Sequence, residues 1–263
     1  MVVVDTHCHA SLDWYEPIET LLYEMDRNDV EHAVLVQING QFDNEYQFEC
    51  VRRSPGRFAN VVLVDADRPD ATQQLEQLAR RGASGVRLRP ITRSPGDDPL
   101  AIWRTADRLG LVVSCGGDSA GFASDEFAST IQALPGLRIV IEHLGSVSRR
   151  DTDAEQLARR RAVFGLARFS NTFIKVTGLG EFSERAMPVP GGFPFVQPIP
   201  RLLDEAYAAF GPSRMMWGSD FPPVAGREGY RAALNLTRDQ FATKSQADRD
   251  LIFGETARSL FKF

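Results

Sequence analysis

Two of the four histidines stand two residues apart, in the segment Asp5-Thr6-His7-Cys8-His9. Side chains alternate between the two faces of a β-strand, which predicts His7 and His9 on one face, with Asp5 below them and Cys8 on the other side. A pair of adjacent imidazoles suits a metal ion or a hydrolytic water. The same pair also fits an incidental polar strand end, so its place in the fold has to decide between the two interpretations.

Two further candidates follow apolar runs later in the chain. His143 comes after Ile139-Val140-Ile141-Glu142, and Asp220 comes after Met216-Trp217-Gly218-Ser219. If these runs and the first one are strands of one parallel sheet, their carboxyl ends meet on one rim. We therefore predict that His7, His9, His143 and Asp220 share a site. The fourth histidine, His32, precedes a strand, and we expect it on the opposite rim in a surface or structural role.

Four more polar residues are candidate substrate ligands. In Val86-Arg87-Leu88-Arg89-Pro90 the two arginines share a face by parity, and guanidinium groups bind carboxylates well. The alternative for Arg87 and Arg89 is a structural salt bridge away from any substrate. Gln37 ends a predicted strand and is placed to hydrogen-bond a substrate, whereas Lys175 in a later strand is placed to pair with an acidic group.

Eight short apolar runs are predicted strands that position these residues. They are Val2–Val4, Ala33–Ile38, Asn60–Val64, Gly85–Leu88, Leu111–Ser114, Arg138–Ile141, Thr172–Val176 and Arg214–Trp217. Segments of helical period separate them, each long enough for a crossover to the next parallel strand. This alternation over 263 residues predicts an α/β fold, a (β/α)8 TIM barrel that uses residues 1–263 as a single domain. A doubly wound open sheet is the alternative, but it would leave strands unused.

Three other segments belong to this prediction. The stretch from Gly178 to Pro200 is rich in Pro, Gly and Phe and poor in helix signals, so we expect it to wall or cover the pocket. Trp14 and Tyr15, in the loop after His9, are placed to cover a substrate. The tail, Ser245 to Phe263, is predicted to close the chain with helices.

Composition argues against several classes of protein. The chain has 30 Lys plus Arg and 35 Asp plus Glu, a net charge of −5, which gives no electrostatic footprint for nucleic acid or a membrane surface. No cationic leader and no apolar run of membrane-spanning length is seen. We expect a cytoplasmic protein that acts on a small molecule, and a homo-oligomer stays open. No Gly-x-Gly-x-x-Gly follows an early strand, so no nucleotide or organic cofactor is predicted.

The motifs that carry the candidate residues resemble a known family. They are Asp5-x-His7-x-His9, Glu142-His143-Leu144-Gly145, Trp217-Gly218-Ser219-Asp220-Phe221-Pro222 and the closing Gly254-Glu255-Thr256-Ala257-Arg258-Ser259-Leu260-Phe261. In this order they resemble the amidohydrolase superfamily, and within it the amidohydrolase-2 group of 2-pyrone-4,6-dicarboxylate lactonase and the sugar lactonases. The resemblance spans the whole chain and implies the TIM barrel and a hydrolase of the metal-dependent hydrolase family.

The chain departs from the superfamily at the end of the fifth strand, where many members place a metal-binding histidine. Here the sequence is Ser114-Cys115-Gly116, and Cys115 is the one residue there that could substitute as a thiolate. A divalent metal such as zinc would have His7, His9 and Asp220 as ligands, with His143 as a further candidate. The resemblance also includes a member that works without metal, so a bound metal stays an open question. We expect chelation to have at most a partial effect.

The resemblance and the chemistry agree on Asp220 as the general base that deprotonates the attacking water. The histidines His7, His9 and His143 would then polarise the carbonyl of a carboxylated or sugar-acid lactone. The alternatives are a zinc-dependent decarboxylase of the same superfamily and an inactive barrel that binds a small anionic metabolite. Gly117-Asp118-Ser119-Ala120-Gly121 matches a nucleophile elbow, but His143 is the single histidine after it, which disfavours a serine hydrolase.

Overall fold

The protein folds as a barrel of eight parallel strands. The computed structural model describes residues 2–147 and 153–263. The strands are β1 Val4–Cys8, β2 His32–Val36, β3 Phe58–Val62, β4 Gly85–Leu88, β5 Val112–Cys115, β6 Ile139–Ile141, β7 Thr172–Val176 and β8 Met215–Trp217. Each strand pairs in parallel with the next, in the order β1 to β8. The predicted (β/α)8 TIM barrel is confirmed.

The barrel closes just beyond the end of β8. The Asp220 N–H donates to the His7 carbonyl and the His9 N–H donates to the Phe221 carbonyl, both at 2.8 Å. These two hydrogen bonds join the last strand to β1. Because they involve three of the candidate residues, the seam of the barrel and the candidate site are the same place.

Helices connect the strands on the outside of the barrel. They are α1 Ile18–Asp26, α2 Glu45–Arg53, α3 Ala71–Arg80, α4 Ala101–Arg108, α5 Ser119–Phe122, α6 Asp125–Ala133, α7 Ala154–Gly165, α8 Leu202–Phe210, α9 Tyr230–Gln240, α10 Gln246–Asp250 and α11 Thr256–Leu260. Helix α1 shows why they form: it buries Ile18, Leu21 and Met25, which lie on one face at helical spacing.

Residues of each strand alternate between two apolar layers. Leu35 of β2 packs outward with the helices, whereas its neighbours Val34 and Val36 point into the barrel. Leu260 and Phe261 fill the lower end of this interior, and Phe261 is 2% exposed. The closing helices predicted for the tail are therefore present, and they supply the floor of the barrel.

A bulge in β1 changes the face on which Asp5 lies. Asp5 pairs with Ala33 and Cys8 with Leu35, so three steps along β1 match two along β2. An extra residue in one strand reverses the alternation, and such bulges are common beside active sites. Asp5 therefore points outward, away from His7 and His9, and the prediction that it lies below them was wrong.

Several predicted strand bounds shift by one to four residues, most of all in the first strand. Strand β1 continues to Cys8 instead of ending at Val4, because its polar side chains are buried in the fold. Helix α9 was not predicted, although Tyr230, Ala233, Leu234 and Thr237 form its buried face at the spacing of a helix. Within the described residues, no helix is both long enough and apolar enough to cross a membrane.

Candidate active site

Asp220 faces two imidazoles across gaps that are too long for hydrogen bonds. Its Oδ1 lies 3.8 Å from His7 Nε2 and 3.6 Å from His9 Nε2. His9 Nδ1 is 2.7 Å from the Val36 carbonyl, so this nitrogen carries a proton and donates to that carbonyl. His7 Nε2 is buried and has no hydrogen-bond partner. The three atoms surround a space that suits a water molecule or a cation.

The other oxygen of Asp220 is held by an arginine from the same loop. Arg227 Nη1 donates to Asp220 Oδ2 at 2.9 Å. Burial alone would raise the pKa of Asp220, but His9, His143 and Arg227 hold it below its ordinary value. Asp220 is therefore an ionised carboxylate with one oxygen fixed and the other free to accept a proton.

His143 sits in a left-handed turn that follows β6. The φ angles of His143, Leu144, Gly145 and Ser146 are 51°, 52°, 69° and 55°. Such a conformation costs about 1–2 kcal/mol for each residue with a side chain, and strain of this kind is typical of functional sites. Gly145 is needed because a Cβ there would meet Val163 Cγ1 at 2.3 Å. The turn brings the His143 ring within 4.5 Å of the His7 ring.

Glu181 from the loop after β7 sets the charge of His143. Its Oε1 lies 2.8 Å from His143 Nδ1. Burial opposes a charge on the ring, but the Glu181 carboxylate raises the pKa of His143 to about 9. His143 is thus an imidazolium at neutral pH, and its second ring N–H is available to an oxyanion.

A buried network of charges supports His7 from inside the barrel. Arg87 Nη2 donates to Glu142 Oε2 at 2.7 Å, and the Ser114 hydroxyl donates to Glu142 Oε1 at 2.7 Å. Lys175 Nζ then donates to Ser114 Oγ at 2.8 Å and lies 3.0 Å from His7 Nδ1. Burial would raise the pKa of Glu142, but Arg87 and Lys175 hold it at about 2.

Lys175 decides which nitrogen of His7 carries the proton. Burial lowers the pKa of Lys175 to about 8, so the ammonium form dominates at pH 7 and donates to His7 Nδ1. Burial and the Lys175 charge hold the pKa of His7 well below its ordinary value, so the ring is neutral. Its single proton is then on Nε2, which faces the space beside Asp220.

Asp5 anchors the seam of the barrel from the outer side. Its carboxylate accepts from the Ser219 N–H at 2.8 Å, from the Ser219 hydroxyl at 2.6 Å and from the Tyr230 hydroxyl at 2.9 Å. Asp220 follows directly with a φ of 59°, a left-handed conformation. Asp5 therefore acts on Asp220 through Ser219 and does not reach the cavity.

Two adjoining cavities open onto these residues. The first, of about 490 Å³, is lined by His9, Trp14, Tyr15, Arg87, His143 and Asp220 among others. The second, of about 790 Å³, extends past Phe42, Arg89 and Ile91. Arg87 and His143 line both. Trp14 and Tyr15 are thus where the sequence predicted them, and a substrate larger than one ring has room.

The four predicted substrate ligands have different surroundings. The Gln37 side chain donates to the Asp43 carbonyl at 2.6 Å and accepts from the Ile38 N–H at 2.8 Å, so it holds its own loop. Lys175 is completely buried below His7. Arg87 lines the cavities but is paired with Glu142. Arg89 is exposed, lines the second cavity and forms no ion pair within residues 2–147 and 153–263.

Cys115 does not take the place of the missing histidine. Its side chain packs among the apolar residues between the sheet and the helices, and burial raises the pKa of the thiol well above its ordinary value. At this end of β5 the residue that points into the barrel is Ser114. The thiolate alternative for a metal ligand is therefore wrong, because the alternation of the strand turns Cys115 outward.

Two other sequence features, His32 and the segment around Ser119, lie outside the candidate site. His32 is at the opposite end of the barrel, as predicted, where its ring stacks on Phe263 and its Nδ1 lies 2.7 Å from the Gly56 carbonyl. Ser119 begins the short helix α5, which is capped by Asp118. The segment that matches the nucleophile elbow therefore contains a short capped helix.

Sequence reasoning missed Ser114, Glu142, Glu181 and Arg227. The alternation of β6 could have indicated Glu142, since it places this residue on the inner face with Val140. Ser114 follows from the same argument in β5. Glu181 and Arg227 lie in irregular loops, where residue type and spacing carry no signal about which side chain they meet.

A curated relative is similar over most of this chain. A 4-sulfomuconolactone hydrolase from Hydrogenophaga intermedia is 29% identical over 213 residues, which are 78% of this chain and 65% of that protein. The matched region therefore spans less than two thirds of the relative's own length.

Two solved structures share the fold over its full length. One is a probable 2-pyrone-4,6-dicarboxylic acid hydrolase from Acinetobacter baumannii with citric acid bound, which has a TM-score of 0.76, 17% identity and 99% coverage of each chain. The other is an amidohydrolase from Burkholderia multivorans with bound zinc, which has a TM-score of 0.77, 21% identity and 99% coverage of each chain. These identities support the barrel fold and leave the chemistry to the residues of the site.

The family relationship follows from a match along the whole barrel. The sequence profile of the family described as Amidohydrolase matches residues 4–263 of this chain. This range includes all eight strands and the loops that carry His143 and Asp220. Together with the motifs at the ends of β1, β6 and β8, the match shows that the chain belongs to the amidohydrolase family.

Proposed function

We propose that the protein is a lactonase that opens the ring of a carboxylated or sugar-acid lactone. The observation that carries this proposal is the opposition of an ionised Asp220, free at Oδ1, to a cationic His143 held by Glu181. A base and an oxyanion-stabilising group on either side of one cavity are what hydrolysis of an ester requires.

His7 and Asp220 orient the attacking water. His7 Nε2–H donates to the water oxygen, and Asp220 Oδ1 accepts one of the water protons. As the water oxygen attacks the lactone carbonyl carbon, Asp220 takes this proton. The His143 N–H stabilises the oxyanion, and the ring C–O bond breaks when the carbonyl re-forms.

The alkoxide that leaves the ring must be protonated before release. Asp220, which has just received the proton of the water, is the acid nearest to this oxygen and supplies it. The products are a free carboxylic acid and a hydroxyl group on one open chain, and Asp220 returns to its ionised state.

The site also fits a divalent cation under two conditions. Donor atoms of His7, His143 and Asp220 lie within 4.8 Å of one another and would hold it, provided that His143 is neutral and that Lys175 is neutral, so that His7 carries its proton on Nδ1. The predicted ligand His9 lies outside this group of described residues. Such a cation, when bound, supplies Lewis acidity. Because Lys175 is mainly protonated at pH 7, we propose that His143 performs this role there. Metal analysis of the purified protein, with activity measured before and after chelation, tests this assignment, and complete loss restored by zinc would contradict it.

The substrate is proposed to be a small anion. The mouth of the cavities carries His143 and Arg89, both cationic, and Arg89 has an unpaired guanidinium among the described residues. The aromatic walls formed by Trp14, Tyr15 and Phe42 suit the apolar faces of a ring. A lactone with one carboxylate outside the ring meets both requirements.

A lactone panel tests the proposed function. Acid release is measured with wild type and with Asp220→Asn on carboxylated aromatic-derived lactones, sugar-acid lactones and neutral lactones. We expect wild type to hydrolyse an acidic member and Asp220→Asn to lose about 10²-fold or more in kcat while its affinity for the product changes little. Binding of a lactone by wild type without any turnover would refute the proposal and indicate a binding protein. Release of CO2 from carboxylated aromatic acids would indicate the decarboxylase instead.

A further inference from the structure

Glu228 lines neither cavity described above, yet its carboxylate is completely buried. It lies just before α9, and its Oε1 accepts from the Gly180 N–H at 3.0 Å. The carboxylate rests against two glycines of the loop after β7, because a Cβ on Gly178 would meet Oε1 at 2.0 Å and one on Gly180 would meet Oε2 at 1.9 Å. Burying a carboxylate is costly, so this contact has to serve the structure of the loop.

The segment that Glu228 holds is the one that carries Glu181. Gly180 and Glu181 belong to the same short turn, Leu179–Glu181. Helix α9 supports this turn from behind, since a Cβ on Gly178 would also meet Ala233 Cβ at 2.8 Å. The distance from Glu181 to His143 therefore depends on how the turn is seated against the loop after β8.

The residue before Glu228 contacts the candidate base. Arg227 donates to Asp220 Oδ2, while Glu228 accepts from Gly180, one residue before Glu181. The two adjacent residues thus fix the two sides of the cavity from one point in the chain.

We propose that Glu228 is a positioning residue, which seats the turn Leu179–Glu181 on the loop after β8 and so sets the contact between Glu181 and His143. This inference rests on the proposed function for its kinetic consequence, because His143 is there the group that stabilises the oxyanion. The contact itself does not depend on which substrate is used.

Substitutions at Gly180 and Glu228 separate this role from a general effect on folding. Gly180→Ala places a methyl group where the Glu228 carboxylate lies and displaces the flexible end of that side chain. Glu228→Ala removes the carboxylate, whereas Glu228→Gln keeps an oxygen that accepts from the Gly180 N–H. Gly191→Ala is the matched control, because a Cβ there meets nothing within 4 Å in the same loop.

We expect Gly180→Ala and Glu228→Ala to lower kcat at least 10-fold with KM changed less than 3-fold. Glu228→Gln should keep kcat within about 3-fold of wild type, and Gly191→Ala should match wild type. The double variant Gly180→Ala/Glu228→Ala should be no slower than Glu228→Ala alone, because both changes break one contact. Equal losses in Glu228→Gln and Glu228→Ala, or an unchanged kcat in Glu228→Ala, would overturn the proposal.

A spectroscopic signature distinguishes failure of this inference from failure of the proposed function. The proton on His143 Nδ1, which lies 2.8 Å from Glu181 Oε1, should give a downfield, slowly exchanging resonance, and Glu181→Ala assigns it by removing the carboxylate. We expect the resonance in wild type, Gly191→Ala and Glu228→Gln, and its loss in Glu228→Ala and Gly180→Ala. If no lactone is hydrolysed, the proposed function fails while this resonance still tests Glu228. Persistence of the resonance in both Ala variants would overturn the inference.

Discussion

Different neighbours fix the charges of Asp220 and His143, although the two side chains face the same cavity. Arg227 occupies one oxygen of Asp220, and Glu181 occupies one nitrogen of His143. Each pairing leaves the other atom of the same group free for the reaction. Asp220 and His143 can therefore be changed one at a time.

Loss of the Glu181 charge should move the pH dependence of activity. Burial opposes a charge on His143, and Glu181 raises its pKa to about 9. In Glu181→Gln the burial effect remains and the largest opposing charge is lost, so the pKa of His143 falls below its wild-type value. We expect kcat of the variant to decline from a lower pH than kcat of wild type, which itself declines as Lys175 loses its proton near pH 8. Rates measured from pH 5.5 to pH 8 check this, and parallel profiles would contradict the role of Glu181.

The ion pair between Glu181 and His143 makes the free energy of unfolding depend on pH. The pKa of His143 is raised in the folded state above its ordinary value of 6.5. The stabilisation is therefore complete below pH 6.5 and is lost as the pH rises toward 9. Glu181→Gln should consequently destabilise the protein more at pH 6 than at pH 9.

The two strand-4 arginines should respond differently to the same substitution. Arg87→Met leaves the buried Glu142 without its main cationic partner, which should cost roughly 3 kcal/mol of unfolding free energy. Arg89→Met removes an exposed guanidinium, so we expect unchanged stability and a KM that rises about 10-fold for acidic lactones only. Denaturant unfolding and KM for an acidic and a neutral lactone measure both effects. An equal rise of KM for both substrates in Arg89→Met would refute its contact with a carboxylate.

Strands and loops differ in how far the sequence could predict them. The apolar runs predict all eight strands because a parallel sheet buried on both faces needs continuous hydrophobic segments. The bulge in β1 and the left-handed turn after His143 are not visible in such patterns. Both depend on contacts between distant segments, such as Asp5 with Ser219 and Gly145 with Val163. The prediction that the histidines and Asp220 share a site thus agrees with the structure. Their partners Glu181 and Arg227 could not be predicted from the sequence and were identified from the folded structure.

The close packing of β1 against the residues after β8 can be tested by a substitution at Gly218. A Cβ on Gly218 would meet His7 Cβ at 2.7 Å and the His7 backbone nitrogen at 2.9 Å. Gly218→Ala should push His7 away from Asp220 and lower kcat about 10²-fold, since small displacements of catalytic groups are costly. Gly226→Ala, in the loop after β8, is the control because its Cβ meets nothing within 4 Å. Similar rates for the two variants would show that this approach does not position His7.

At the scale of the whole molecule, the candidate site and the apolar floor of the barrel lie at opposite ends of its axis. The candidate site occupies the end where the strands finish, and Phe261 fills the interior near the other end with Val34, Val61 and Met216. This separation predicts that the floor can be weakened without a direct effect on the chemistry.

Phe261→Ala should lower stability and leave the kinetics nearly unchanged. Loss of a buried phenylalanine costs about 3–5 kcal/mol, which corresponds to a decrease in Tm on the order of 10 °C for a domain of this size. Phe263→Ala is the matched control and should have a smaller effect, because that ring is partly exposed. Calorimetry with kcat and KM at 25 °C measures both. A large change in KM of Phe261→Ala would contradict the separation.

The three cysteines give this barrel a further property. Cys8 lies in β1, Cys50 in α2 and Cys115 in β5, and all three are buried as free thiols. Burial raises the pKa of the Cys8 and Cys115 thiols well above the ordinary value, which suppresses the reactive thiolate. A thiol reagent can then modify them only after the sheet and the helices part. The rate of labelling in native buffer would therefore measure how often the barrel opens, separately at β1, α2 and β5, without any engineered probe.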